Sequence, residues 1–174
     1  IGFYHLLKKQ GAKIKYMNLK KENNEIKGDI LIKNCKLKPI KADKEYYTNA
    51  TDEYPILFVI AALIKGTSIF KGIKDLANKE SNRIKEMQNI LSQIGIKSIS
   101  SKDSLKIFGK GIFNAENKKI IVSNLGDHRI CMSAFILALL TGATTKIKNF
   151  ETVNTSSPSI LKIMKYLGAK FEKN

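Results

Sequence analysis

The sequence predicts an α/β fold made from a repeated unit with pseudo-threefold symmetry, its apolar helices gathered at a centre and its sheets packed outside. Two recurring patterns point to it. In the first, an amphipathic helix ends at a glycine and passes at once into a lysine-rich strand: LLKKQGAKIKY (6–16), ILSQIGIKSIS (90–100) and IMKYLGAKFEK (163–173). In the second, an almost wholly apolar helix is followed by a glycine and a strand with β-branched residues: ILFVIAALIKGTSIFKGI (56–73) and MSAFILALLTGATTKIKNF (132–150). Interleaved, they run apolar helix, strand, loop, amphipathic helix, strand, with a period of roughly 75 residues.

Each element has a local reason. Gly11, Gly95 and Gly168 fall where a left-handed residue ends a helix. Helices that are hydrophobic all round, such as those followed by Gly66 and Gly142, have no face for water and must be buried. Asp52 and Asp127 stand near the entrances of these two helices, with Pro55 three residues beyond the first. Ser157 reads as the cap of the last helix, with Pro158 in its first turn. Phe58, Met87 and Phe135 recur at helical spacings that mean core, whereas His5 reads as surface or core. Lys20 to Gly28 and Gly109 to Lys119 are polar and rich in Gly and Asn, as hairpin turns and surface loops are. No stretch rich in Pro, Gly or Ser marks a boundary, so residues 1–174 read as one domain. The chain opens at Ile1-Gly2-Phe3 without an initiator Met, already inside an amphipathic segment, which fits a piece of a longer protein.

Composition excludes several classes. A net charge of +16 suits nucleic acid or an acidic membrane surface. The lysines, however, are scattered, form no block of five or more and do not interleave with aromatics, which argues against a nucleic-acid partner. The apolar runs 56–64 and 130–140 are shorter than the 20 or so residues a membrane span takes. Cys35 and Cys131 lie far apart with no CxxC, against a disulfide framework or a metal site; Cys131 reads as a buried thiol in a reducing cytosol.

Arginine usage is the sharpest signal of a site. Only Arg83 and Arg129 interrupt a basic complement that is otherwise lysine, and each sits beside acidic residues at the start of a helix. A planar guanidinium fork grips a carboxylate or phosphate in a fixed orientation, and helix N-termini already favour anions. The competing reading is a surface ion pair with a neighbouring acid, worth little. Equivalent loops of a symmetric repeat emerge at one end, so 51–54, 78–83, 127–129 and 154–158 are expected to gather there. The arrangement suits an anionic substrate undergoing proton transfer.

The motifs TDEYPI, NKESNRI, GDHRICMS and NTSSPSILKIMKYLGA, in that order, together with the opening GFYHLLKKQGA, resemble the C-terminal half of the 5-enolpyruvylshikimate 3-phosphate synthase family over nearly the whole chain. The resemblance implies an inside-out α/β barrel domain of βαβαββ units, one of two similar domains, the N-terminal one being absent here. It implies transfer of the enolpyruvyl group of phosphoenolpyruvate to the 5-hydroxyl of shikimate 3-phosphate, with release of phosphate, in the shikimate pathway. Neither metal nor organic cofactor is implied, and the protein is expected to act as a cytoplasmic monomer away from nucleic acid and membrane. The cousin acting on UDP-N-acetylglucosamine shares the fold but carries other motifs in these loops. The rival from another class is a non-catalytic basic domain that binds anions or nucleic acid.

By the same resemblance, Asp52 matches the carboxylate that contacts the reacting hydroxyl, although the residues alone also allow a helix cap. Glu80 matches the group that delivers and removes a proton at the methylene carbon, and Lys79 a lysine near the reacting oxygens. Arg83 and Arg129 match the pair that binds phosphoenolpyruvate. Asp127 reads as a cap or partner to Arg129, and His128 as a packed, hydrogen-bonded side chain. Two departures stand out: Asn82 replaces a usual Asp that could orient Arg83, and Ser157 replaces a common Phe. Some relatives also carry a phosphoenolpyruvate-contacting lysine at about the place of Thr155. Half an active site is expected from this chain alone, since catalysis in this family requires two domains to close.

Overall fold

The computed structural model describes residues 2–123 and 126–172. Helix α1 (Gly2–Lys9) buries Leu6 and Leu7, leaves His5 exposed, and is closed by Gly11 at φ 102°. Strands β1 (Lys13–Glu22) and β2 (Glu25–Lys33) form an antiparallel hairpin that reverses at Asn23 and Asn24, both with positive φ. Next come β3 (Lys41–Ala42), α2 (Lys44–Ala50) and a 3-10 turn, Thr51–Glu53, that feeds α3 (Tyr54–Ala62) with Pro in its first turn. Strand β4 (Gly66–Lys71), a 3-10 turn (Lys74–Asn78), α4 (Arg83–Gln93) and the hairpin of β5 (Lys97–Ser101) and β6 (Ser104–Gly109) follow. The remainder is β7 (Lys119–Val122), α5 (His128–Thr141), β8 (Thr144–Ile147), a 3-10 turn (Phe150–Thr155) and α6 (Ile160–Tyr166).

The predicted repeat is visible in the pairing. β3 and β4 are parallel partners joined across an apolar helix, and so are β7 and β8. β5–β6 and β1–β2 are antiparallel hairpins, each entered from a helix that ends at a left-handed glycine. In the four-stranded sheet the two halves join as β3-β4-β6-β5.

Helices α3 and α5 pack against each other at the centre. Leu57, Phe58, Val59, Ala61 and Ala62 of α3, and Ile130, Cys131, Ala134 and Leu137 of α5, have no exposed surface. Full burial of a large aliphatic or aromatic side chain contributes about 1.5–3 kcal/mol, so an all-apolar helix is stable here and nowhere wetter. Tyr54, Phe58 and Phe70 stack edge-on, with Phe58 and Phe70 centroids 4.9 Å apart. Helix α4 turns one stripe inward, Ile84, Met87, Ile90 and Leu91, as its 3.6-residue spacing dictates. Phe58, Met87 and Phe135 are core residues, as expected.

Four local expectations are corrected. Residues 169–172 form no strand: the Ala169 N–H turns back to the Met164 carbonyl, and no strand among the described residues pairs with the segment. Ser157 does not cap α6. The N–H groups of Ser156 and Ser157 both bond the Val153 carbonyl, which keeps Ser157 in the preceding turn, and α6 starts only after Ser159. Residues 20–22 belong to β1 and 25–28 to β2, because the loop is confined to the two asparagines. Gly109 ends β6 in close approach to α3, where a Cβ would overlap the carbonyl oxygens of Ile64 and Ala61.

Candidate active site

Three carboxylates and two guanidiniums meet where the turn 51–53 and the N-termini of α4 and α5 converge. Arg83 is the first residue of α4 and the largest side chain without exposed surface. Its Nε donates to Asp127 Oδ2 at 3.0 Å, its Nη1 to Asp52 Oδ1 at 3.2 Å, and its Nη2 to Glu80. A surface ion pair it is not. Arg129, on the first turn of α5, donates from Nη1 to the Asp52 backbone carbonyl at 3.0 Å and pairs from Nη2 with Asp52 Oδ2 at 3.1 Å. Asp52 therefore bridges both arginines; the residue at the N-cap of α3 is Glu53, and among the described residues Asp52 makes no cap bond.

Asp127 is the buried anchor. It caps α5 by accepting from the backbone N–H groups of Arg129 at 3.0 Å and Ile130 at 3.4 Å, while Ser81 Oγ donates to its Oδ2 at 2.9 Å. Burial works against its charge, but the hydrogen bonds from Arg83, Ser81 and Ile130 and the attraction of Arg83 outweigh it and hold the carboxyl below the usual carboxylate range. Burial likewise opposes the Arg83 charge, and Asp127, Glu80 and Asp52 together raise its pKa above the ordinary value. Of the two roles expected of Asp127, the cap is present, whereas among the described residues the cation on its carboxylate is Arg83 and not the Arg129 side chain.

The remaining candidates sort by exposure. Glu80 and Asp52 are about half exposed, at 47% and 49%, while Asp127 is fully buried. Lys79 is exposed and has no ion pair among the described residues. His128 opens α5 half-buried, without the hydrogen bond expected of it among the described residues. Asn82 is the cap of α4, accepting from the Lys85 N–H at 3.0 Å, so the missing carboxylate there leaves Arg83 oriented by Asp127 instead. The Thr155 hydroxyl is spent locally on the Thr152 carbonyl, and Thr152 donates to the Gly126 carbonyl, tying the fourth loop beside the third. A cleft of 220 Å³ opens against Asp52 and Arg129 and runs between Ile56, Met132 and Ile160. Behind the cluster, burial raises the pKa of the Tyr47 phenol. Sequence reasoning missed Ser81, a small residue whose partner lies 46 positions away.

A family model described as EPSP synthase (3-phosphoshikimate 1-carboxyvinyltransferase) matches residues 2–164. The chain belongs to the EPSP synthase family. A Clostridium tetani 3-phosphoshikimate 1-carboxyvinyltransferase is 35% identical over 94% of this chain, and one from Petrotoga mobilis is 36% identical over 93%. This chain spans 37% of the length of either relative. A solved EPSP synthase from Acinetobacter baumannii superposes with a TM-score of 0.86 at 32% identity, covering 95% of this chain and 38% of that one. The enolpyruvyl transferase NikO from Streptomyces tendae, at 14% identity and a TM-score of 0.68 over 97% of this chain and 35% of that one, shares the fold. The α/β fold expected for an EPSP synthase domain is thus the fold of this chain.

Proposed function

We propose that this chain supplies about half the active site of an enolpyruvyl transferase that moves the enolpyruvyl group of phosphoenolpyruvate to the 5-hydroxyl of shikimate 3-phosphate and releases phosphate. The observation that carries this reading is the division of the three carboxylates by burial. Asp127, sealed in, holds Arg83, whereas Asp52 and Glu80 stay open to a ligand beside the arginine pair.

In this reading the hydroxyl oxygen attacks the central carbon of the enol while Asp52 takes the hydroxyl proton. Glu80 gives a proton to the methylene carbon and later takes one back, as phosphate leaves and the double bond re-forms. Arg129 and Arg83 fix the anionic groups of phosphoenolpyruvate, and Lys79 brings a mobile positive charge to the reacting oxygens. The opposing wall, most contacts to shikimate 3-phosphate and the closure that excludes water come from an N-terminal domain of the same enzyme. Residues 1–174 supply most of the C-terminal domain of that two-domain enzyme, a cytoplasmic monomer that uses no metal or organic cofactor.

The test is phosphate release from phosphoenolpyruvate in the presence of shikimate 3-phosphate, with this chain alone and then mixed with a separately expressed N-terminal half. Activity is expected only in the mixture, and Glu80→Gln is expected to abolish turnover while phosphoenolpyruvate still binds. A folded but silent complex, or full turnover by Glu80→Gln, would sink the reading.

A further inference from the structure

A ligand that bridges both arginines needs N–H groups of each, and Asp52 already takes one from Arg83 and two from Arg129. Its Oδ1 accepts from Arg83 at 3.2 Å, its Oδ2 pairs with Arg129 at 3.1 Å, and its carbonyl takes the remaining Arg129 bond at 3.0 Å. The other N–H groups of Arg83 that bond point to Asp127 and Glu80. One carboxylate spanning two guanidiniums is the arrangement that a substrate carboxylate or phosphate would itself adopt there.

The carboxylates on Arg83 differ in how they are held. Asp127 is buried and receives bonds from Ser81 and two backbone N–H groups besides Arg83, so it cannot leave without orphaning them. The Asp52 side chain is 49% exposed, sits on a short 3-10 turn and has only the arginines as partners among the described residues. Only the Asp52 side of the pair is exposed, so water can solvate that carboxylate when it leaves, and an incoming anion takes over the arginine N–H groups it gives up.

We propose, on the reading that these arginines hold the substrate anion, that Asp52 is an internal occupant of the anion site. A carboxylate or phosphate bridging Arg83 and Arg129 displaces it, and the displacement releases the Asp52 carboxylate toward the hydroxyl whose proton it takes. Anion binding and the arming of the base are then one event. Removing the Asp52 side chain slows turnover and at the same time strengthens binding of the anion by itself, by more than the loss of one nearby negative charge does.

The experiment is calorimetric titration of the assembled two-domain enzyme with phosphoenolpyruvate as sole ligand. Asp52→Ala is expected to bind it tighter than the unaltered enzyme by roughly two- to fivefold, the upper part of the range that a weak ion pair sets. Glu53→Ala is the control, because it removes the same charge one position away from a side chain that pairs with neither arginine among the described residues. Equal tightening by Glu53→Ala would reduce the effect to net charge and overturn the proposal. So would unchanged or weaker binding by Asp52→Ala while Arg129→Lys still weakens it, an outcome that leaves the arginine reading standing. Indifference of both backgrounds to Arg129→Lys would remove the arginine reading, and the proposal with it.

Discussion

Asp127→Asn isolates the buried clamp, because asparagine keeps the shape of the side chain and removes its charge. The amide oxygen can still accept from the Arg129 and Ile130 N–H groups, so the cap of α5, a contribution of about 0.5–2 kcal/mol, survives. The amide nitrogen then stands where Oδ2 was. Ser81 can rotate its hydroxyl to accept from it, but Arg83 Nε–H is a donor facing a donor, on a side chain with no exposed surface. Removing one partner of a buried pair costs about 3–5 kcal/mol; because Glu80 and Asp52 still hold the far end of the fork, the expected loss is about 3 kcal/mol. That is a large part of the 5–15 kcal/mol or so by which a typical domain is stable. Equilibrium urea denaturation at neutral pH measures it. The pH dependence follows in sign: the folded pKa of Asp127 is depressed, so its stabilisation is complete above the ordinary carboxylate pKa and is lost as pH falls through the folded value. Asp127→Asn is therefore expected to flatten the acid limb of the stability curve. A loss under about 1 kcal/mol with an unaltered acid limb would refute the clamp.

Two further outcomes are expected. Gly109→Ala forces a methyl into the carbonyl oxygens at the end of α3 and is expected to cost at least about 1–3 kcal/mol, read as a lowered Tm; an unchanged Tm would disprove the close approach. Burial pushes the Cys131 thiol up to about 11, so a thiol reagent at pH 8 is expected to label the half-buried Cys35 in the native protein and both cysteines only after unfolding. Equal native labelling would mean that α5 is not sealed in the core.

Much of the fold was legible because its signals are local. A left-handed glycine ends a helix whatever the tertiary context, and Gly11, Gly95, Gly142 and Gly168 all have positive φ. A helix apolar all round can only be buried, which placed α3 and α5 at the centre. What failed depended on partners remote in sequence. Residues 169–172 carry strand composition but have no described neighbour to pair with, and Ser157 lost its cap role to a carbonyl four residues back.

For the site, the sequence by itself determined which residue types were available. Two arginines among lysines, each beside carboxylates at a helix start, raised the expectation of an anion site, since fork geometry and helix N-termini are properties of short segments. Only the tertiary structure decided who holds whom. Arg83 takes Asp127 from 44 positions away and Asp52 from 31, rather than Asp127 serving its neighbour Arg129. The physical reason is that a cap turns the aspartate back onto its own helix N-terminus, and the one cation that can enter that buried space is whichever the packing of α4 against α5 delivers there.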